Sequence, residues 1–189
     1  SATEWSWAAL LFDMDNDGYK DVYISNGIYK DLLDRDYLTY EANDERISQL
    51  LRSGTEVITD LIDLMPSKSV KNSVYRNNGD FTFDDKRKDW GLDEPSFSNG
   101  SAYGDLDNDG DLDLDAYVLN NSIRSVGTYD LIEGQRNIPS DDGNQLLENI
   151  DNKFYNVSSD KGIYSSNIGF GLGITMSDFN GDLWPDLFI

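Results

Sequence analysis

Aspartate recurs at short, regular spacing in three places. The first run is Asp13, Asp15, Asp17 and Asp21, the second Asp105, Asp107, Asp109 and Asp113, and the third Asp178, Asn180, Asp182 and Asp186. In each run the oxygen-bearing side chains stand at positions one, three, five and nine of a nine-residue loop. Position seven, which is Tyr19, Asp111 or Trp184, would add its backbone carbonyl. Alternate residues of such a loop turn their side chains toward a common centre, so the chemistry offered is a ring of hard oxygen ligands. Ca²⁺ accepts about six to eight oxygens at about 2.3–2.6 Å in flexible geometry, whereas Mg²⁺ keeps more of its water and wants fewer protein ligands. Calcium is therefore the expected cofactor. Gly18 and Gly110 at position six provide the positive φ of the sharp turn. The third loop departs from this pattern, with Asn180 in place of a carboxylate and Leu183 at position six, where a positive φ would be strained.

Other uses of these acids are weaker. An EF-hand needs a glutamate at position twelve and helices on both sides. Position twelve here is Ile24, Ala116 or Ile189, and the flanks read as strands. Dockerin-like and thrombospondin-type calcium repeats expect an acid at that position too. Asp-Asn-Gly clusters can be plain turn formers, but three in register with matching flanks favour ligands. Paired carboxylates can hydrolyse glycosides, yet a catalytic pair should occur once and not in every repeat, so no catalytic residue is expected in these loops. The chain has no Cys and no His. That removes disulfides, thiolate metal sites and every His-dependent nucleophilic arrangement.

The elements that would position the loops repeat as well. Strand-like stretches precede them at Trp7–Phe12, Ser101–Gly104 and Gly173–Ser177, and follow them at Val22–Ser25, Leu114–Leu119 and Leu187–Ile189. Upstream of the last two loops, Ser73–Phe83 with Trp90-Gly91-Leu92 matches Gln145–Phe154 with Lys161-Gly162-Ile163. The repeat is about 70 residues of short strands and tight turns, the pattern of a propeller blade or a similar β-repeat. The interval from Asp13 to Asp105 is about 20 residues too long. The excess contains helical periodicity: Ile47, Leu50 and Leu51 share one face. A capping-box spacing at Ser53 and Glu56 precedes Val57, Ile58, Leu61, Ile62 and Met65, and Pro66 closes the run. This insertion is expected to pack on the surface of the array. The expected division is 1–27 for the end of a first blade with its calcium loop, 28–70 for the helical insertion, 71–122 for a second blade and 123–189 for a third, incomplete one. The fold class is thus all-β: a partial propeller of fewer than three blades, with a helical insertion between the first two.

Composition agrees with a folded domain. Hydrophobic residues make up 38% and aromatic residues 12%, enough for a packed core. Acids number 36 against 15 bases, and the net charge of −21 would repel nucleic-acid backbones and anionic membrane surfaces. The longest apolar run, Trp7–Phe12, falls far short of the roughly 20 residues of a spanning helix, so no membrane insertion by this segment is expected. Trp5, Trp7 and Trp90 are expected to fill the core, and Trp184 to reach solvent, since only its carbonyl is needed.

The loops with their flanks resemble FG-GAP/VCBS-type repeats, the calcium-loop blades of integrin-α-like β-propellers. Val74–Phe83, then Trp90–Asp93, then Phe97–Leu114 looks like a full repeat of that type. More narrowly the chain is similar to bacterial relatives of cartilage acidic protein, including VCBS-repeat proteins of Bacteroidota, through Trp5-Ser6-Trp7, Asn26–Asp31 and the insertion ending Leu64-Met65-Pro66. The resemblance implies a secreted or surface-exposed propeller whose calcium ions brace the blades. A closed propeller has about four to eight blades, so a piece of a longer protein is expected. It further implies a non-catalytic module that binds a protein or glycan at the cell surface, as an accessory to an outer-membrane glycan or peptide uptake complex and its transporter subunits. The competing expectation is a fragment of an extracellular polysaccharide-degrading enzyme whose active site lies outside this chain.

Overall fold

The computed structural model describes residues 5–53, 57–106, 113–121, 143–163, 165 and 171–189. Among the described residues strands dominate, and every pairing is antiparallel. The first sheet has the order β1 (Ser6–Phe12), β2 (Asp21–Asn26), β4 (Ser73–Asn77), β5 (Phe83–Asp85). The second repeats it with β7 (Ser98–Gly104), β8 (Asp115–Asn120), β9 (Gln145–Ile150) and β10 (Lys153–Asn156). Two short pairs complete the set, β11 (Thr175–Ser177) with β12 (Asp186–Phe188), and β3 (Val70–Lys71) with β6 (Pro95–Ser96). The chain is mostly β, as the repeats suggested. Each acidic loop joins two adjacent antiparallel strands: β1 to β2, β7 to β8, and β11 to β12.

The two large sheets are built on one template. Each second strand reads Asp-x-Tyr-aliphatic-x-Asn, as Asp21–Asn26 and as Asp115–Asn120. The terminal asparagine does the same work in both. Asn26 donates its amide to Asn72 Oδ1 at 2.8 Å and its Nδ2 to the Lys71 carbonyl at 3.1 Å, and accepts Ser6 Oγ at 2.8 Å. Asn120 donates to Asn144 Oδ1 at 3.1 Å and to the Gly143 carbonyl at 2.7 Å, and accepts Ser98 Oγ at 2.8 Å. These buried and half-buried side-chain bonds close the end of each sheet opposite its acidic loop, where an unpaired amide would be costly.

The core lies between the two sheets. Phe12, Tyr23 and Val74 from the first meet Ala116, Val118, Leu147 and Phe154 from the second, with Met14, Trp90 and Leu92 filling the remaining space. Phe12 stacks on Tyr103 of β7 at 4.3 Å and 6°. Every residue of β8 is buried, which fits its continuous Ala-Tyr-Val-Leu run. Trp90 is buried as expected. Trp7 is not: it is 46% exposed, its indole N–H donates to the Gly27 carbonyl, and it stacks on Trp5 at 6.2 Å. Its position near the start of β1 carries it past the edge of the core. Trp184 is exposed, as its place in the loop required.

The turn after β5 reaches the second sheet, where Phe154 donates its amide to the Trp90 carbonyl at 2.9 Å. Gly91, at φ 76°, sits so close that a Cβ there would lie 2.9 Å from the Phe154 carbonyl oxygen. Its counterpart Gly162, at φ 71°, has open space around it. Gly91→Ala is therefore expected to cost about 2–3 kcal/mol and Gly162→Ala about 1 kcal/mol, read from urea unfolding of the two variants side by side.

The sheets run across the expected divisions 1–27, 71–122 and 123–189. Strands β1 and β2 share a sheet with β4 and β5, with Val22 opposite Tyr75. The helical insertion therefore lies, in chain order, between the second and third strands of one sheet. Repeat counting measures the distance between loops and is blind to which strands pair. The insertion comprises a π-helical turn (Tyr37–Glu41), α1 (Asp44–Ser53) and α2 (Val57–Leu64). Asn43 caps α1 by accepting the Arg46 amide at 2.9 Å, and Lys30 donates to the Asp63 and Met65 carbonyls at the end of α2. Tyr37 is buried, with its hydroxyl on the Leu61 carbonyl at 3.0 Å. Leu33, Tyr40, Leu51 and Ile58 are exposed, so the insertion covers only part of its apolar surface. Of the Ser53–Glu56 capping box, Ser53 ends α1 and Glu56 lies outside the described residues. No described helix is long and apolar enough to cross a membrane.

Candidate metal centre

The first acidic loop is folded by its own carboxylates. Asp13 accepts the Asp17 amide at 3.0 Å on one oxygen and the Gly18 amide at 2.8 Å on the other, and Asp17 Oδ1 accepts the Tyr19 amide at 2.9 Å. The turn needs Asn16 at φ 55° and Gly18 at φ 91°, residue types that tolerate that region. Asp21, at the head of β2, is fully buried. It accepts the Met14 amide and, from β4, the Asn77 amide, both at 2.8 Å. Burial raises its pKa above the ordinary carboxylate value, against the lowering effect of the two amides; the nearby Asp15 and Asp17 charges push it up further.

Of the residues expected to bind metal here, Asp13, Asp15 and Asp21 are brought together, each offering an oxygen within 4.8 Å of the others. Asp15 Oδ1 is buried and has no hydrogen-bond donor. A buried anionic oxygen without a partner is costly, and a hard cation is the species such a cluster suits. The oxygen-only donor set would suit a hard divalent cation. Asp17 stands apart from the triad. Its Oδ2, with Asp15 Oδ2, is gripped by the guanidinium of Arg76, which reaches over from β4.

The third loop repeats the amide hydrogen bonding of the first, although Asp178, Asp182 and Asp186 are not drawn together as Asp13, Asp15 and Asp21 are. Asp178 accepts the Gly181 amide at 2.6 Å, the Asp182 amide at 3.2 Å and the Leu183 amide at 2.9 Å, and these bonds, that from Leu183 foremost, hold its carboxyl below the usual range. Asp182 Oδ1 accepts the Trp184 amide at 2.9 Å, as Asp17 accepts that of Tyr19. Asp186 Oδ2 accepts the Phe179 amide at 2.9 Å, as Asp21 accepts that of Met14. Asn180 bonds Asp182 through both its oxygen and its nitrogen, so it is turned within the loop. Leu183 has φ 74° and is 91% exposed, the strained position-six residue that the sequence suggested. Leu183→Gly is expected to raise the stability of the calcium-free chain by up to about 1 kcal/mol, measured by urea unfolding in chelator.

In the second loop Asp107, Asp109 and Asp111 lie outside the described residues. Asp105 and Asp113 are described, and Asp105 Oδ1 is buried without a partner among the described residues. The place that Asp21 and Asp186 hold is taken here by Asp115 and not by Asp113. Asp115 accepts the Leu106 amide at 3.0 Å and the Asn149 amide at 2.9 Å, matching the Met14 and Asn77 bonds of Asp21. The second loop is therefore two residues longer than the first between its leading aspartate and its following strand. The shared Asp-x-Tyr-aliphatic-x-Asn pattern carries that register, and a gapless alignment of the acids passes over it. Arg76 carries no signal in the spacing of the acids, and Asn77 and Asn149 mark the repeat in the sequence without revealing their bonds to Asp21 and Asp115.

Comparison of the chain with protein-family models, with curated proteins and with solved structures gave no match.

Proposed function

We propose that this chain is a calcium-braced, non-catalytic binding or scaffold module of a secreted or cell-surface protein, built from FG-GAP/VCBS-type repeats of a β-propeller. The observation that carries this reading is the triad of Asp13, Asp15 and Asp21, with the donorless Asp15 Oδ1 buried inside it. The recurrence of the same amide-bound loop at Asp178–Asp186 supports it, as does the recurrence of one four-stranded sheet plan. In the first loop Asp13, Asp15 and Asp21 would hold the ion, with Asp17 and the Tyr19 carbonyl completing the set. Asp178, Asp182, Asp186, Asn180 and the Trp184 carbonyl would do so in the third. In the second, Asp105, Asp107, Asp109, the Asp111 carbonyl and Asp113 or Asp115 are the candidates. When bound, the ion supplies charge that locks each β-turn-β unit, and the loops then present a rigid rim to a protein or glycan. Bacteroidota outer-membrane uptake complexes are the setting the sequence resemblance proposes.

The test is a carbohydrate and protein array probed with the intact protein in calcium and in chelator, beside a turnover assay on the same polysaccharides. Calcium-dependent binding without turnover is expected. Turnover without stable binding contradicts the proposal.

A further inference from the structure

The strand position that carries Arg76 recurs in the second sheet with the opposite charge. Val22 pairs with Tyr75 across β2 and β4, and Ala116 with Leu147 across β8 and β9. The amides of Asn77 and Asn149 bind Asp21 and Asp115 in the same way. The residue before each asparagine is Arg76 in β4 and Glu148 in β9. Arg76 spans Asp15 and Asp17, whereas Glu148 pairs with Lys161 at 3.2 Å.

The arginine satisfies only half of the cluster. The Asp15 side chain is 10% exposed, so its pairing with Arg76 is little screened. Its other oxygen still lacks a donor. Asp17, needed as the fifth-position ligand, has one oxygen on the Tyr19 amide and the other on Arg76. With no divalent ion, the single positive charge offsets repulsion among four carboxylates packed into nine residues. With one, a doubly charged ion meets a positive guanidinium on two of its own ligands.

We propose that Arg76 is an internal counter-cation of the first loop, which a divalent ion must displace from Asp17 and work against at Asp15. Stability in the absence of calcium is thereby gained at the expense of calcium affinity. This rests on the reading of the first loop as a metal site. The loop next to Glu148 has no such competitor at the equivalent position, so the chain carries calcium sites of unequal strength, the first set by Arg76.

The experiment compares the 189-residue chain with R76Q, each with and without D13N to assign the first site. Calcium affinity is measured by competition with a chromophoric chelator, and melting temperature both in EGTA and in saturating calcium. R76Q is expected to tighten the D13N-sensitive site on the order of tenfold. It is also expected to lower the melting temperature more in EGTA than in calcium. An unchanged or weakened D13N-sensitive site in R76Q overturns the proposal, as does an equal loss of melting temperature in both conditions, which would make Arg76 a plain structural brace. If D13N removes no calcium from either protein, the metal reading of the loop fails and the proposal falls with it.

Discussion

Removal of calcium is expected to lower the melting temperature by about 5–10 °C for each site emptied. A site held at about 100 times its dissociation constant contributes about 2.7 kcal/mol, and a domain of this length shifts by about 2–4 °C per kcal/mol. The structure gives that coupling a location. The first loop gathers three carboxylates around a buried oxygen without a donor, and Asp21, with its pKa raised by burial, is tied to both the loop and β4. Emptying the site leaves like charges to repel where two strands are joined. Magnesium at equal concentration should restore little of the loss, because it holds its water and resists an all-protein ring. Scanning calorimetry in calcium, in EGTA, and in EGTA with free magnesium matched to the calcium concentration measures both effects. A melting temperature unchanged by EGTA would reduce the loops to turns.

The second large effect is independent of metal. Asp21→Ala and Asp115→Ala are each expected to cost about 3–5 kcal/mol even in chelator. Both carboxylates are buried, and each accepts one amide from its own loop and one from the third strand of its sheet. Truncation leaves two amides without their acceptor, one of them buried and the other half-buried, at about 1–3 kcal/mol apiece. Asp113→Ala, at a half-buried position, should cost less than half as much in the same buffer. Urea unfolding in EGTA ranks the three. If Asp113→Ala proves the costlier change in its loop, the gapless register of the acids is right and the hydrogen-bond register is wrong.

The sequence made the β class and the nine-residue plan of the first and third loops legible, because both depend on local spacing. Alternation and turn residues specify strands, and Asp at position one binds the amides at positions five and six by geometry alone, as Asp13 and Asp178 do. The strain at Leu183 was legible for the same reason. What spacing could not carry was pairing between distant segments. Arg76 lies 61 residues from Asp15, and no local pattern signals their contact. In chain order the helical insertion lies between two strands of the first sheet because β2 pairs with β4 across it, a fact of strand order that repeat length does not encode. The shift from Asp113 to Asp115 was available in the strand pattern but hidden by the denser pattern of acids. Trp7 shows the limit of composition: a large aromatic near the start of an outer strand has no core above it, so it stacks on Trp5 at the surface.

The most direct measurement of the central claim is isothermal titration of the metal-stripped chain with calcium, repeated on D13N and D178N. Saturable calcium binding, a preference over magnesium, and the loss of one site in each variant are expected. No calcium binding, or binding that neither variant alters, would contradict the claim.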